Sequence, residues 1–250
     1  MNQLRPFTIA FYNGKGGVGK TTLSVLTAHL LHEMGLEVLF IDTDPQCSAY
    51  QWSLGYEDES RGGLPFPVHI PGNVTKRSQL LEFINQRRSS DTSVLIFDLP
   101  PVVDNLMTRL VLNLTDLAVM PVIPDGLTVD AMPGSLRLIE DVSEERRGLN
   151  DQDPGVKFKI VMNRVKKATS VHKSRMKALR AATALSVYDT FLGDLNAFIN
   201  ASSAKTSLEN VIKGRKKDPL IQLMSFRDEL LDDAKSLGWD LRAIAESKSH

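Results

Sequence analysis

The sequence predicts an α/β fold, a mostly parallel twisted sheet with helices on both faces. Short apolar, β-branched runs alternate along the chain with helical patterns, as repeated strand–helix–strand units require. Several of these runs end in an aspartate or asparagine, at the carboxyl ends where open parallel sheets bind ligands. A glycine-rich stretch, Asn13-Gly14-Lys15-Gly16-Gly17-Val18-Gly19-Lys20-Thr21-Thr22, lies between the first strand and the first helix.

The first strand is Phe7–Asn13, opened by the apolar run Phe7-Thr8-Ile9-Ala10-Phe11-Tyr12. The glycine stretch that follows fits the phosphate-loop pattern, with Gly14 and Gly19 framing four residues before Lys20 and Thr21. Glycines allow backbone N–H groups to turn inward around a polyphosphate. Lys20 then reaches the terminal phosphates, and the Thr21 hydroxyl is placed for Mg²⁺. Lys15, a second lysine early in the loop, is not needed by an ordinary phosphate loop. Leu23, Leu26, Leu30 and Met34 recur at helical spacing over Thr21–Met34, and Gly35 supplies the stop. The helix N-terminus adds favourable polarity for phosphate.

The second strand, Glu37–Ile41, runs into Asp42-Thr43-Asp44-Pro45-Gln46. Gly55 to Gly72, rich in Gly and Pro, reads as a long surface loop. The third strand, Ser93–Asp98, again delivers a carboxylate from an apolar run. Carboxylates leaving buried strands are costly without a cation, a donor or a water. Beside a phosphate loop, Asp42 and Asp44 can order the attacking water, and Asp98 can hold the Mg²⁺ shell. Strand-ending aspartates also cap the helices that follow them.

Helical patterns continue at Asn105–Leu114, Val129–Val142, Val171–Leu185 and Pro219–Leu237, with strands at Leu117–Ile123, Phe158–Asn163 and Val187–Leu192. Pro133 is expected to limit or kink the helix that holds it.

Composition is that of an ordinary globular protein, 42% hydrophobic and 24% charged. At 250 residues, one domain, 1–250, is the expectation. A lone cysteine, Cys47, excludes a disulfide framework and fits a cytoplasmic protein with a buried or inert thiol. No apolar run reaches a bilayer span, and no signal-peptide core opens the chain. The five histidines show no metal-ligand spacing with cysteines or acids.

A net charge of zero conceals a separation. No acidic residue lies between Asp153 and Asp189, where Lys157, Lys159, Arg164, Lys166, Lys167, Lys173, Arg175, Lys177 and Arg180 all fall. Lys213, Arg215, Lys216 and Lys217 form a second cluster. Such an asymmetry suggests a surface for phosphate backbones, against the plainer reading of a solvated basic helix face.

The segments Lys15 to Thr22, Asp42 to Gln46 and Asp98-Leu99-Pro100-Pro101 together resemble the deviant phosphate-loop (deviant Walker A) ATPases of the ParA/MinD superfamily. Ser48, Ala49 and Trp52 after Asp44-Pro45-Gln46 are similar to its ParA branch, and Phe198, Ala201 and Ser207-Leu208-Glu209 resemble its C-terminal nucleotide-side region more loosely. The resemblance implies a P-loop NTPase using ATP and Mg²⁺. It implies that Lys15 crosses to the ATP of a partner subunit in an ATP-dependent homodimer, while Gly14 to Thr22 cradle the chain's own nucleotide. Asp44 would position water with Asp42 assisting, Thr21 and Asp98 would serve Mg²⁺, and Asn163 would meet adenine. It further implies nonspecific DNA binding through the two basic clusters, nucleoid association, and a ParB-like or other stimulating adaptor. The implied output is positioning of a cargo such as a plasmid. The alternatives are a MinD-like membrane-positioning ATPase, a metabolic phosphate-loop ligase or kinase acting on a small acceptor, a non-enzymatic scaffold, and an accessory ATPase of a conjugative DNA-transfer complex. The short, mixed-charge Trp239–Glu246 segment argues against membrane binding, and the early first strand leaves no room for an N-terminal helix-turn-helix.

Overall fold

The computed structural model describes residues 5–54, 64–193, 196–212 and 218–248. The strands are β1 (Phe7–Phe11), β2 (Glu37–Asp42), β3 (Val68–His69), β4 (Thr92–Asp98), β5 (Leu117–Val122), β6 (Lys157–Val165) and β7 (Val187–Gly193). They form one parallel sheet in the order β3-β2-β4-β1-β5-β6-β7. β1 lies at the centre, with Phe11 level with Asp98 of β4 and Val119 of β5. Strands buried on both sides are what helix-covered parallel sheets require, and every residue of β1 and β5 is buried.

Side-chain alternation divides the core into two layers. Phe7, Ile9, Phe11, Val94 and Ile96 point to one face, and Ala10, Tyr12, Leu95, Phe97 and Leu99 to the other. The first layer is closed by α1 (Lys20–Glu33), α9 (Asp218–Ser236) and α10 (Leu241–Lys248), with α2 (Ser48–Ser53), α7 (Asn196–Ala204) and α8 (Leu208–Ile212) at its margins. The second is closed by α3 (Arg77–Asn85), α4 (Leu106–Leu112), α5 (Gly126–Leu149) and α6 (Ser170–Ala181).

The expected strands and main helices are present, with boundary shifts, and four differences have physical causes. Leu23 to Leu31 are buried on all sides, so α1 is a core helix and not a one-sided amphipathic one; it is packed between the sheet and α9. α5 runs unbroken through Pro133 from Gly126 to Leu149. Asp125 caps its start by accepting from Thr128 N at 2.7 Å. The stretch expected as a surface loop from Gly55 to Gly72 turns inward at its end. Leu64, Phe66 and Val68 are buried, and Phe66 stacks on Phe40 at 6.2 Å before the edge strand β3. Residues 55–63 of that stretch lie outside the described residues. Finally, Lys157 and Lys159, counted with the basic run, both pair with the carboxylate of Asp233 on α9, at 3.1 and 3.2 Å.

Candidate nucleotide site

Gly19 ends the glycine loop in the left-handed region at φ +92°, a conformation that suits glycine, and no side chain caps the helix α1 that starts after it. The first N–H groups of α1 are therefore left facing the loop's hollow, a ready cradle for an anion. The floor is fixed from below. Gly14 N donates to Ser135 Oγ of α5 at 2.9 Å, Lys15 N to Asn13 Oδ1 at 2.9 Å, and Asn13 Nδ2 to Pro121 O at 2.9 Å. The Tyr12 hydroxyl donates to the Val103 carbonyl. A Cβ on Gly14 would lie 2.9 Å from Val103 Cγ2 and 3.1 Å from Val103 Cα, so only glycine lets the loop after β4 pass so close.

The hollow opens into a cavity of about 460 Å³, whose walls include Gly16, Gly17, Gly19, Lys20, Thr21 and Thr22 with Asp44. Leu23, Leu26, Leu192 and Phe198 add apolar wall. Apolar walls with a few polar groups suit a nucleotide. The Phe198 part of the wall belongs to α7, which the sequence marked only loosely.

Lys20 is buried, and its Nζ donates to the Lys15 carbonyl at 3.1 Å. Burial lowers its pKa, opposed by Asp98 and Asp44. Thr21 Oγ1 donates to Asp98 Oδ2 at 2.6 Å. Asp98 is fully buried, and its Oδ1 has no hydrogen-bond partner among the described residues. Burial pushes its carboxyl up to about 8, against the Thr21 hydrogen bond and with the repulsion of Asp42 added. An orphaned carboxylate oxygen beside a threonine hydroxyl and a phosphate cradle fits Mg²⁺, a hard cation that takes oxygen ligands.

The expectation for Asp42 is narrowed. Its Oδ1 accepts from Asp44 N at 3.0 Å, and its Oδ2 accepts from Ala49 N at 3.0 Å and Tyr50 N at 3.1 Å. The carboxylate thus caps α2 and shapes the loop that carries Asp44. Asp44 is half-buried at the cavity wall, with Oδ1 accepting from Gln46 N at 2.9 Å. Asn163 lines the cavity too, but its amide is engaged: Nδ2 donates to Val18 O at 2.8 Å and Oδ1 accepts from Arg164 N at 2.9 Å. It clamps the phosphate loop from β6. Sequence reasoning gave no nucleotide-site role to its neighbour Arg164, which sits at φ +52° and donates to Gly17 O at 3.2 Å.

Lys15 is exposed, and its ammonium makes no hydrogen bond or ion pair among the described residues. It does not line its own chain's cavity.

Lys166, Lys167, Lys173, Lys177 and Arg180 are exposed and Arg175 half-buried, following Asn163 and Arg164 out of β6 and along α6. Lys213, Arg215, Lys216 and Lys217 lie outside the described residues.

Other residues resolve plainly. Trp52 is buried in the core. Arg109 is held on the surface by Asp104 at 2.8 Å and Glu145 at 2.9 Å. Cys47 is half-buried, and slight burial with Asp42 and Asp44 nearby pushes its thiol up, away from the reactive thiolate. α10 is occupied in packing through Leu241 and Ala245, and among the described residues no helix is long and apolar enough to cross a membrane.

A family model described as the CobQ/CobB/MinD/ParA nucleotide binding domain matches residues 9–236. The Maintenance of carboxysome distribution protein A of Gloeobacter kilaueensis is 34% identical over 122 residues, 49% of this chain and 51% of that protein. The Cell division protein PomZ of Myxococcus xanthus is 27% identical over 77% of this chain and 68% of its own length. The chain thus spans about half the length of the first of these relatives. Among solved structures, an ATP complex of a Cyanothece McdA variant superposes with a TM-score of 0.69 at 15% identity, covering 92% of this chain and 96% of that one.

Proposed function

The chain belongs to the CobQ/CobB/MinD/ParA nucleotide-binding family, and on that premise we propose that it is a slow, Mg²⁺-dependent ATPase that positions a cargo. ATP closes two chains into a sandwich dimer, the dimer binds DNA without base readout, and hydrolysis releases it. The observation that carries this reading is the division of labour between the two loop lysines. Lys20 is buried on its own loop, whereas the exposed Lys15 ammonium has no hydrogen-bond or ion-pair partner among the described residues. A cation left free at the rim of a phosphate site is suited to a phosphate supplied with a second subunit.

Phosphoryl transfer depends mainly on positioning and charge stabilisation. The N–H groups of Gly16 to Thr22 and the Lys20 ammonium hold the phosphates, with Thr21 and Asp98 as the Mg²⁺ side chains. Mg²⁺, when bound, neutralises charge on the phosphate oxygens. Asp44 orients the attacking water, and Asp42 holds Asp44 in place by fixing its backbone N–H. Lys15 completes the charge complement from the partner, so that hydrolysis and dimerisation are coupled. ATP favours the closed dimer only in so far as it binds that state better.

Exposed Lys166, Lys167, Lys173 and Lys177 sit on the segment that leaves the nucleotide site, which supports DNA contact next to the ATP switch. A dimer doubles this surface and steepens the affinity. A ParB-like or other adaptor would stimulate turnover, and a plasmid is one cargo such a switch can serve.

The test is nonspecific duplex-DNA binding with ATP, ADP and no nucleotide, for the wild type and Lys15→Ala. Binding that requires ATP and is lost in Lys15→Ala is expected. No DNA binding in any state, with ATP turnover intact, would reject the DNA-based reading in favour of a membrane or small-molecule role.

A further inference from the structure

The histidines, which show no metal spacing in the sequence, acquire one in the fold. His29 and Glu33 lie one turn apart on α1, and Glu209 reaches them from α8. His29 Nε2 stands 3.9 Å from Glu33 Oε1 and 3.8 Å from Glu209 Oε2, and the candidate ligand atoms of all three lie within 4.8 Å of one another. We propose that His29, Glu33 and Glu209 form a binding site for a divalent transition-metal ion, Zn²⁺ in the first instance, separate from the Mg²⁺ side chains Thr21 and Asp98.

His29 is only 9% exposed, yet neither ring nitrogen makes a hydrogen bond among the described residues, and Nδ1 is fully enclosed. Glu209 Oε2, the atom turned toward the imidazole, is likewise enclosed and without a hydrogen-bond partner. Among the described residues, no lysine or arginine pairs with either carboxylate. An enclosed carboxylate oxygen with no donor is costly, and a cation between the three groups removes that cost.

The dimensions suit such an ion. Donors bound at about 2.0–2.2 Å around a tetrahedral centre stand roughly 3.4 Å apart, so the observed spacings need only a small inward turn of the side chains. One imidazole with two carboxylates favours zinc-type ions, because magnesium and calcium prefer all-oxygen sets. Glu33 is half-exposed, which leaves room for water to complete the shell. The bound ion would staple α8 to α1. It would thereby tie the segment that follows the Phe198 wall of the cavity to the helix that carries the phosphate loop.

The experiment uses the full chain, tag-free and nucleotide-free, equilibrated with Zn²⁺ in excess Mg²⁺. Retained zinc is measured by mass spectrometry, and affinity by competition with a chromogenic chelator. One retained zinc per chain is expected. His29→Gln and Glu209→Gln should each weaken binding about tenfold or more, and Thr21→Ala should leave it unchanged. Glu33→Gln alters a half-exposed side chain, so it reports on the site even where a buried substitution unfolds the protein. No zinc retained by the wild type, or retention unchanged in Glu33→Gln and the folded buried variants, would overturn the proposal.

Discussion

Thr21 and Asp98 are joined by a 2.6 Å hydrogen bond from the threonine hydroxyl to one carboxylate oxygen, while the other oxygen is enclosed and meets no donor among the described residues. A residue in the first turn of α1 and the residue that ends the neighbouring strand thus form one unit, held by the pairing of β1 with β4. Its chemistry is that of a carboxylate waiting for a cation.

A pH dependence follows for the metal-free protein. Asp98 titrates at about 8 when folded and near about 3.9 when unfolded. The folded chain holds the extra proton between those limits, so its stability falls as pH rises through that window. Asp98→Asn removes the penalty. Urea unfolding should show the variant gaining on the wild type from about pH 4 to about pH 8, by an amount on the order of a few kcal/mol. An equal difference at both ends of the range would contradict the assignment. Mg²⁺ binding requires the ionised carboxylate, so it should release a proton in the wild type, readable by calorimetry in buffers of different ionisation heat.

Asp42 and Asp44 are separable despite their proximity. Asp42 accepts from three backbone N–H groups, and hydrogen bonds to a charged group contribute about 1.5–3 kcal/mol each before redundancy. Asp42→Ala should therefore destabilise the fold by roughly 2–4 kcal/mol, seen as a lowered melting temperature. Asp44→Ala should melt close to the wild type, bind ATP, and lose turnover by about a hundredfold or more. Equal melting temperatures for the two variants would refute this division.

Asn163 gives a third case. Its amide bridges β6 to the Val18 carbonyl, and its Nδ2 stands 2.4 Å from where a Cβ on Gly19 would be. Asn163→Ala leaves that carbonyl without its donor and should weaken nucleotide binding by about tenfold, on the order of 1–2 kcal/mol. Gly19→Ala should be more severe, since it adds a clash to a left-handed backbone. Fluorescent-nucleotide titration ranks them, and unchanged nucleotide binding in Asn163→Ala would refute the clamp.

The basic surface makes a differential prediction. Lys173→Ala and Lys177→Ala should each reduce the salt slope of DNA binding by about 0.9 for every phosphate contact removed. Lys159→Ala should leave the slope unchanged, because that ammonium, 18% exposed, is committed to Asp233. It should cost stability instead. A slope that responds equally to all three would mean that position on α6 is irrelevant.

Much of this arrangement is legible in the sequence because the carrying signals are local. The phosphate loop, its strand and its helix are contiguous, and Asp98 is announced by the apolar run before it. What escapes is set by contacts distant in sequence. Ser135 supports Gly14 from 121 residues away, and Asn163 holds Val18 across 145. In the sequence a cap is open to Asp42, Asp44 and Asp98 alike, and only the start of α2, which the pattern after Pro45 does not disclose, assigns it to Asp42. Lys157 and Lys159 belong to a basic run by position, and by geometry they share the carboxylate of Asp233. The completeness of α1's burial arises from α9, a helix close to the other end of the chain.

The end of β6 allots successive residues to different tasks. Asn163 and Arg164 hold the phosphate loop, Val165 is paired level with Gly193 of β7, and Lys166 and Lys167 turn outward. Only Val165 separates the grip on the loop from the start of the charged surface. Variation at this corner is therefore pleiotropic: a substitution that retunes one grip disturbs the other. The outer positions of α6 are free of that bond, and they are where natural variants or engineers can adjust the surface alone.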